Sequence, residues 1–264
     1  MQLMNQTKLM KKMMKIWKNN QRNIALIITA AGSSTRFGNN IKKEYLPVVE
    51  NDFSKGTVLG KSLETFLETG YFSTIVITIP ENQQKEAEKA LSYLPLGKSL
   101  LNNEIASVKF SFCTGGSTRQ SSVFEGLKCI AELSKDNRPD AVLIHDGARP
   151  FVSKKIVDSV IEDLEKSGAS VPGVPAVDTQ KQVDENGKIV AHLQRSTIFA
   201  VQTPQAFQFE KLLEAHKKAS TDGRVYTDDT EIWGQYCGDV YISYGETTNK
   251  KITYKEDLIS GSRQ

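Results

Sequence analysis

The sequence predicts an α/β protein built on a doubly wound, mostly parallel sheet. Short apolar runs alternate with segments of helical periodicity along most of the chain. Each of three such runs ends in a turn of small residues, and fixed charge follows at once. In an open α/β sheet the strand carboxyl ends lie side by side and form the crevice where ligands bind.

The first run, Ile24 to Ile28, fits a buried parallel strand. It breaks into Thr29-Ala30-Ala31-Gly32-Ser33-Ser34, where small side chains let backbone N–H groups approach an anion. Arg36, Lys42 and Lys43 follow. Taken alone, such a turn is also an ordinary strand-to-helix connection. Its spacing is neither G-x-G-x-x-G nor G-x-x-x-x-G-K-[ST], which disfavours a dehydrogenase and a P-loop NTPase.

Leu59, Leu63, Phe66 and Leu67 mark a helix closed by Gly70. Thr74 to Ile79 is a second strand, stopped by Pro80; Asn82 to Ser92 reads as a polar helix and Leu94 to Asn103 as loop. Val108 to Cys113 is a third strand, followed by Gly115-Gly116-Ser117 and a helix bearing Val123, Leu127 and Ile130, with Arg119 on its surface. Ala141 to His145 is a fourth strand, running into Asp146-Gly147-Ala148-Arg149-Pro150, and Ile156 to Leu164 is the next helix. From Val171 to Val177 prolines interrupt an extended stretch, which excludes a regular central strand. A turn at Asp184-Glu185-Asn186-Gly187 implies a β-hairpin arm, with Arg195 on its return limb. Ile198 to Val201 is a short strand, and Gln202-Thr203-Pro204-Gln205 turns into a helix from Phe207, with Thr203 also suited to capping it. Asp228 with Glu231 starts a further helix, and Asp239 to Tyr244 is the last strand.

The 264 residues fit one large domain over 23–264, including an arm at about 171–197. A content of 39% hydrophobic and 25% charged residues is globular. The net charge of +3 is too dispersed to argue for nucleic acid and leaves only a mild bias toward small anions. Three spaced cysteines and three histidines make neither a disulfide framework nor a zinc site, and point to a reducing cytoplasm. No apolar run reaches membrane-spanning length. Residues 1–22 carry Lys8, Lys11, Lys12, Lys15, Lys18 and Arg22 with no acid, and read as a disordered leader that contributes no core.

Together these pieces resemble the 2-C-methyl-D-erythritol 4-phosphate cytidylyltransferase family, from about Ile24 to Leu258. The matching segments are A-A-G-S-S-T-R-F-G with K-E-Y-L, G-G-S-T-R-Q-S-S-V, H-D-G-A-R-P, D-T, the Arg195 limb, T-P-Q-A-F, T-D-D and N-K-K-I-T. The resemblance implies a glycosyltransferase-A-like nucleotidyltransferase fold and a reaction of CTP with a sugar-alcohol phosphate, with Mg²⁺. It implies that Arg36 and Lys43 hold the triphosphate and stabilise its developing charge, with backbone contacts from Ala30, Ala31 and Gly32. Gly116, Ser117 and Ser122 would lie at the cytosine, and Asp146 at the ribose and the metal. Arg149, Thr179, Arg195, Thr203 and Lys251 would surround the second substrate, Arg195 and Lys251 with catalytic roles. The arm implies a homodimer with exchanged arms.

Three departures stand out. Lys42 replaces a usual proline, so either lysine of the pair could reach phosphate. Ser117 stands where an aspartate is common, and Gly147 where an alanine is usual. A ribitol-5-phosphate cytidylyltransferase and an inactive nucleotide-binding module are the competing readings.

Overall fold

The computed structural model describes residues 23–38 and 42–259, so the basic leader lies outside the described residues. The main sheet contains β1 (Ile24–Thr29), β4 (Phe72–Ile79), β5 (Lys109–Thr114), β6 (Ala141–Asp146), β7 (Ala169–Pro175), β10 (Phe199–Val201), β11 (Gln205–Gln208) and β12 (Tyr241–Tyr244). Its order is β10-β7-β11-β6-β1-β4-β5, with β12 on the other side of β7. Only β10 and β11 run against the rest, so the sheet is mostly parallel, as the alternation implies.

Side chains of β1 show how both faces are covered. Leu26 and Ile28 enter one core with α1 (Val58–Thr69) and α5 (Lys154–Ser167). Ala25 and Ile27 enter the other with α4 (Arg119–Leu133), α6 (Phe209–Ala219) and α7 (Asp229–Tyr236). Alternate residues of a strand face opposite sides, so a run that is apolar throughout serves a sheet buried on both faces. The chain goes from β1 outward to β4 and β5, then crosses through α4 to β6 on the opposite side of β1. That reversal sets a crevice at the carboxyl ends of β1 and β6. Register aligns those ends, with Thr29 beside both Thr78 and Asp146, and Ile79 beside Thr114.

Several elements differ from the sequence expectation. A hairpin of β2 (Pro47–Val49) and β3 (Asp52–Thr57) follows the first loop. Between α2 (Gln84–Leu91) and β5, the stretch expected as loop holds α3 (Pro95–Leu101), which starts at a proline and buries Leu96 and Leu100. The proline-containing stretch is strand β7 after all. Pro172 lies opposite the interruption between β10 and β11, where Gln202 N–H donates to its carbonyl at 2.7 Å and no ladder bond needs its missing N–H. Thr203 caps no helix, because β11 intervenes before α6. The arm is present as β8 (Lys181–Val183) and β9 (Ile189–His192), joined by a turn in which Asp184 Oδ1 accepts from Asn186 and Lys188 N–H.

Candidate active site

A cleft of about 480 Å³ opens at the carboxyl ends of β1, β5 and β6. Its first wall is the loop after β1. Ala31, Gly32, Arg36 and Lys43 line it. Phe37 is buried with Val58 and Ile252, so one apolar cluster anchors the residues next to both Arg36 and Lys251. Ile252 N–H also donates to the Ala148 carbonyl at 2.8 Å, bringing the chain end to the loop after β6.

The two adjacent lysines differ in surroundings. Lys42 donates to the Gly32 carbonyl and lies 3.6 Å from Glu44, whose carboxylate also accepts from Ser34 Oγ at 3.2 Å. Lys43 lines the cleft, and its ammonium is held below the usual lysine range chiefly by burial, with Lys251 and Arg36 acting in the same direction. Glu44 opposes that shift.

The second wall is the loop between β5 and α4. Gly115 N–H donates to the Ile79 carbonyl at 2.9 Å, and a Cβ at Gly115 would lie 2.3 Å from Ala31 Cβ. A Cβ on Gly116 would meet Ser121 Oγ at 2.2 Å, so Gly115 is required for the close approach of the two loops and Gly116 for the tight fold of its own loop onto the start of α4. Thr118 and Ser121 close α4 with a reciprocal capping box. Ser122 donates its hydroxyl proton to the Thr118 carbonyl at 2.8 Å, which leaves its oxygen free to accept. Gly116, Ser117 and Ser122 all line the cleft.

Asp146 closes the cleft from β6. Lys251 Nζ lies 2.8 Å from its Oδ2, Arg149 Nε 3.4 Å from the same atom, and Arg119 Nε 3.8 Å from Oδ1. Burial works to raise the Asp146 carboxyl, but Lys251, Arg119 and Arg149 outweigh it and hold it well below the carboxylate range. Among the described residues the one hydrogen-bond contact to Oδ1 is from Thr29 Oγ1, at 3.5 Å. Among the described residues no group of three or more His, Cys, Asp or Glu side chains gathers that could hold a metal. A single carboxylate with a loosely held oxygen suits a hard cation that takes one protein ligand and fills its shell with phosphate and water, as Mg²⁺ does.

Arg119 is not the helix-surface residue the sequence suggested. Its Nη1 lies 2.7 Å from Asp229 Oδ2, and Asp229 Oδ1 in turn lies 3.1 Å from His216 Nε2, with Asp229 and His216 fully buried. Arg119 lines the cleft while joining Asp146 to Asp229. One local signal existed: Arg119 is the first residue of α4, where a cation opposes the helix dipole unless an acid answers it. Glu44 also lines the cleft, and nothing local in the K-E-Y-L segment marks it as a site residue.

The remaining assigned residues lie elsewhere. The N–H of buried Ala30 is taken by the Thr78 carbonyl at 2.8 Å, so only its carbonyl could serve a ligand. Arg149 and Thr203 stand behind Asp146 and do not line the cleft. Arg149 Nη1 donates to the Asn249 carbonyl at 2.7 Å, and Thr203 Oγ1 accepts from Asp146 N–H at 3.0 Å. His145, fully buried next to them, is pushed by burial down to about 4 and is neutral at ordinary pH. Thr179 and Arg195 are exposed on the arm, where Arg195 Nη1 donates to the Val177 carbonyl at 3.2 Å.

The profile of a family described as "IspD: 2-C-methyl-D-erythritol 4-phosphate cytidylyltransferase" matches residues 24–262. The chain is 35% identical over 239 residues to the 2-C-methyl-D-erythritol 4-phosphate cytidylyltransferase of Clostridium botulinum, covering 90% of this chain and 97% of that protein. It is 34% identical over 239 residues to the bifunctional enzyme IspD/IspF of Nitrobacter winogradskyi, covering 89% of this chain and 54% of that protein. The crystal structure of 4-diphosphocytidyl-2C-methyl-D-erythritol synthase from Anaerococcus prevotii superimposes with a TM-score of 0.71 at 26% identity, covering 90% of this chain and 95% of that one. The 2-C-methyl-D-erythritol 4-phosphate cytidylyltransferase of Francisella tularensis gives 0.67 at 29% identity, covering 89% of this chain and 96% of that one. Sequence and fold agree over nearly all the described residues, and the chain belongs to the 2-C-methyl-D-erythritol 4-phosphate cytidylyltransferase family.

Proposed function

We propose that this chain transfers the cytidylyl group of CTP to 2-C-methyl-D-erythritol 4-phosphate, releasing pyrophosphate, in non-mevalonate isoprenoid precursor synthesis. The observation that carries the reading is one cleft in which Arg36, Lys43, Arg119 and Lys251 converge with Asp146 and the glycine loop before α4. A phosphate oxygen of the acceptor bonds to the α-phosphorus as the bond from that phosphorus to the β-bridging oxygen breaks. Negative charge grows on the α-phosphoryl oxygens, and fixed cations in a partly desolvated cleft stabilise it without reorganising. Arg36 and Lys43 take that role, and Lys251 bridges toward the acceptor side. Asp146 would hold Mg²⁺, which would supply further positive charge to the triphosphate. Backbone groups near Gly116 and the free lone pairs of Ser122 Oγ suit the cytosine amino group, a donor.

The working form is a homodimer with exchanged arms. Val183, Ile189 and Val190 on the arm, Phe199 and Val201 on β10, and Tyr241, Ile242 and Tyr244 on β12 are exposed apolar residues on neighbouring parts of the fold. Such a surface fits a second copy of the chain, whose arm would bring Thr179 and Arg195 over this cleft. The three cysteines are free, which suits a reducing cytoplasm.

Pyrophosphate release from CTP with Mg²⁺ tests the reading, with 2-C-methyl-D-erythritol 4-phosphate and ribitol 5-phosphate offered in turn. Turnover with the first and little with the second is expected. The opposite preference would move the chain to the ribitol reaction, and silence with both would leave only a binding module.

A further inference from the structure

Behind Asp146, a run of buried groups forms one chain of hydrogen bonds whose direction is fixed by chemistry. The Arg149 carbonyl lies 3.0 Å from Nε2 of His145. A carbonyl only accepts, so Nε2 carries the ring proton. The neutral ring then has a bare Nδ1, and the Thr203 hydroxyl at 3.0 Å donates to it. With its proton committed there, Thr203 Oγ1 accepts from the backbone N–H of Asp146, also at 3.0 Å. The imidazole sits edge-on to Phe66, ring centroids 4.8 Å apart, with no exposed surface. Thr203 is held a second time through its own carbonyl, which accepts from Asn249 Nδ2 at 2.9 Å.

Two things follow. Thr203 has no proton left to give a phosphate oxygen, so it is poorly suited to bind the second substrate directly. The backbone at Asp146 is held by a bond of its own, separate from the ion pairs on its carboxylate.

We propose that His145 is a positioning residue for the cytidylyl transfer, acting through the Thr203 hydroxyl on the backbone of Asp146 and through Nε2–H on the carbonyl of Arg149. It touches no reacting atom. Its function is to keep one tautomer, which orients Thr203, which sets where the Asp146 carboxylate enters the cleft. The inference rests on the transfer activity proposed above.

The test pairs disruptive with conservative changes. Thr203→Val keeps the shape and removes both hydrogen bonds, whereas Thr203→Ser keeps the hydroxyl. His145→Phe keeps a flat ring without nitrogens, whereas His145→Asn keeps an acceptor on the Thr203 side. Thr203→Val and His145→Phe should each lower kcat by about tenfold to a hundredfold, more than they change KM for CTP, since a small misplacement of a catalytic group has that effect. Thr203→Ser and His145→Asn should recover most of it. The double variant His145→Phe with Thr203→Val should be no worse than the worse single one, because both break the same chain. ¹⁵N NMR of histidine-labelled protein should show His145 as the Nε2–H tautomer, with its Nδ1 resonance displaced in Thr203→Val. Turnover of Thr203→Val within about twofold of wild type, losses that multiply in the double variant, or an Nδ1–H tautomer would overturn the proposal. If His145→Phe fails to fold, the Thr203 pair and the NMR signature decide alone. A wild-type chain that makes no CDP-alcohol would defeat the functional reading instead, and the tautomer would still be measurable.

Discussion

Lys251 Nζ stands 2.8 Å from Asp146 Oδ2, tying the segment after β12 to the carboxyl end of β6. The pair sits between the two walls of the cleft, with Lys43 close enough to feel both charges.

Lys43→Ala should lower kcat by about a hundredfold or more while CTP affinity changes little, because its best target is charge that exists only in the transition state. Lys42→Ala should cost far less, since Lys42 is occupied with the Gly32 carbonyl and Glu44. Steady-state kinetics of both variants decide this, and a reversed ranking would assign the phosphate role to Lys42.

CTP should be preferred over UTP by at least about tenfold in kcat/KM, as uracil lacks the amino donor and would leave an acceptor unpaired. Ser122→Ala should narrow that ratio. Equal values for the two nucleotides in the wild-type enzyme would remove Ser122 and the Gly116 backbone from base recognition, with Ser117 the first departure to inspect.

Arg195 should serve the partner's cleft. Lys43→Ala and Arg195→Ala subunits, mixed and allowed to exchange, give dimers of which about half are mixed, each with one intact site. Activity should return to roughly a quarter of wild type. Verified exchange without recovery means that Arg195 acts within its own chain.

Arg119→Ala should destabilise the fold by about 2 to 3 kcal/mol, because it leaves the buried Asp229 carboxylate with His216 as its one remaining ion-pair partner among the described residues. The partial exposure of Arg119 keeps the figure below that of a fully buried pair. Urea unfolding reads the difference, and an unchanged midpoint would show that the Arg119–Asp229 contact is not a net stabiliser.

Stability should fall as pH drops from about 6.5 toward 4. Burial depresses His145 to about 4 in the folded chain; Asp146 and the Arg149 carbonyl favour its imidazolium, while the Arg149 and Lys251 charges disfavour it. Between those two values the unfolded chain binds a proton that the folded one does not, so stability present above pH 6.5 is lost on acidification. The single-site contribution is roughly 3 kcal/mol. Thermal melts across that range should show a shallower slope for His145→Asn than for wild type, and parallel slopes would place the acid sensitivity elsewhere.

Much of this was legible in the sequence, for identifiable reasons. Ile24 to Ile28 and Ala141 to His145 are apolar throughout because both sheet faces are covered, and that pattern is local. Asp228 was readable as a cap, and it accepts from the N–H groups of Thr230 and Glu231 at 3.1 Å each. Gly187 in the arm has φ 80°, in keeping with the turn assigned to it. What escaped depended on distant partners. Nothing near Pro172 shows that its strand neighbour is interrupted opposite it, and nothing near Arg119 shows that Asp229 will be buried against it. The seven residues of α3 are too few for a periodic pattern to stand out.

The cleft's lining carries a surplus of positive charge: Arg36, Lys43, Arg119 and Lys251 against Glu44 and Asp146 among the described residues. Such a concave surface with a net positive charge draws a polyanion in from solution before any specific contact forms. Capture of the nucleotide is therefore a long-range event governed by ionic strength, weakening as the Debye length contracts with added salt. Small multivalent anions compete for the same field, pyrophosphate among them, so the released product is itself an occupant that the cleft attracts.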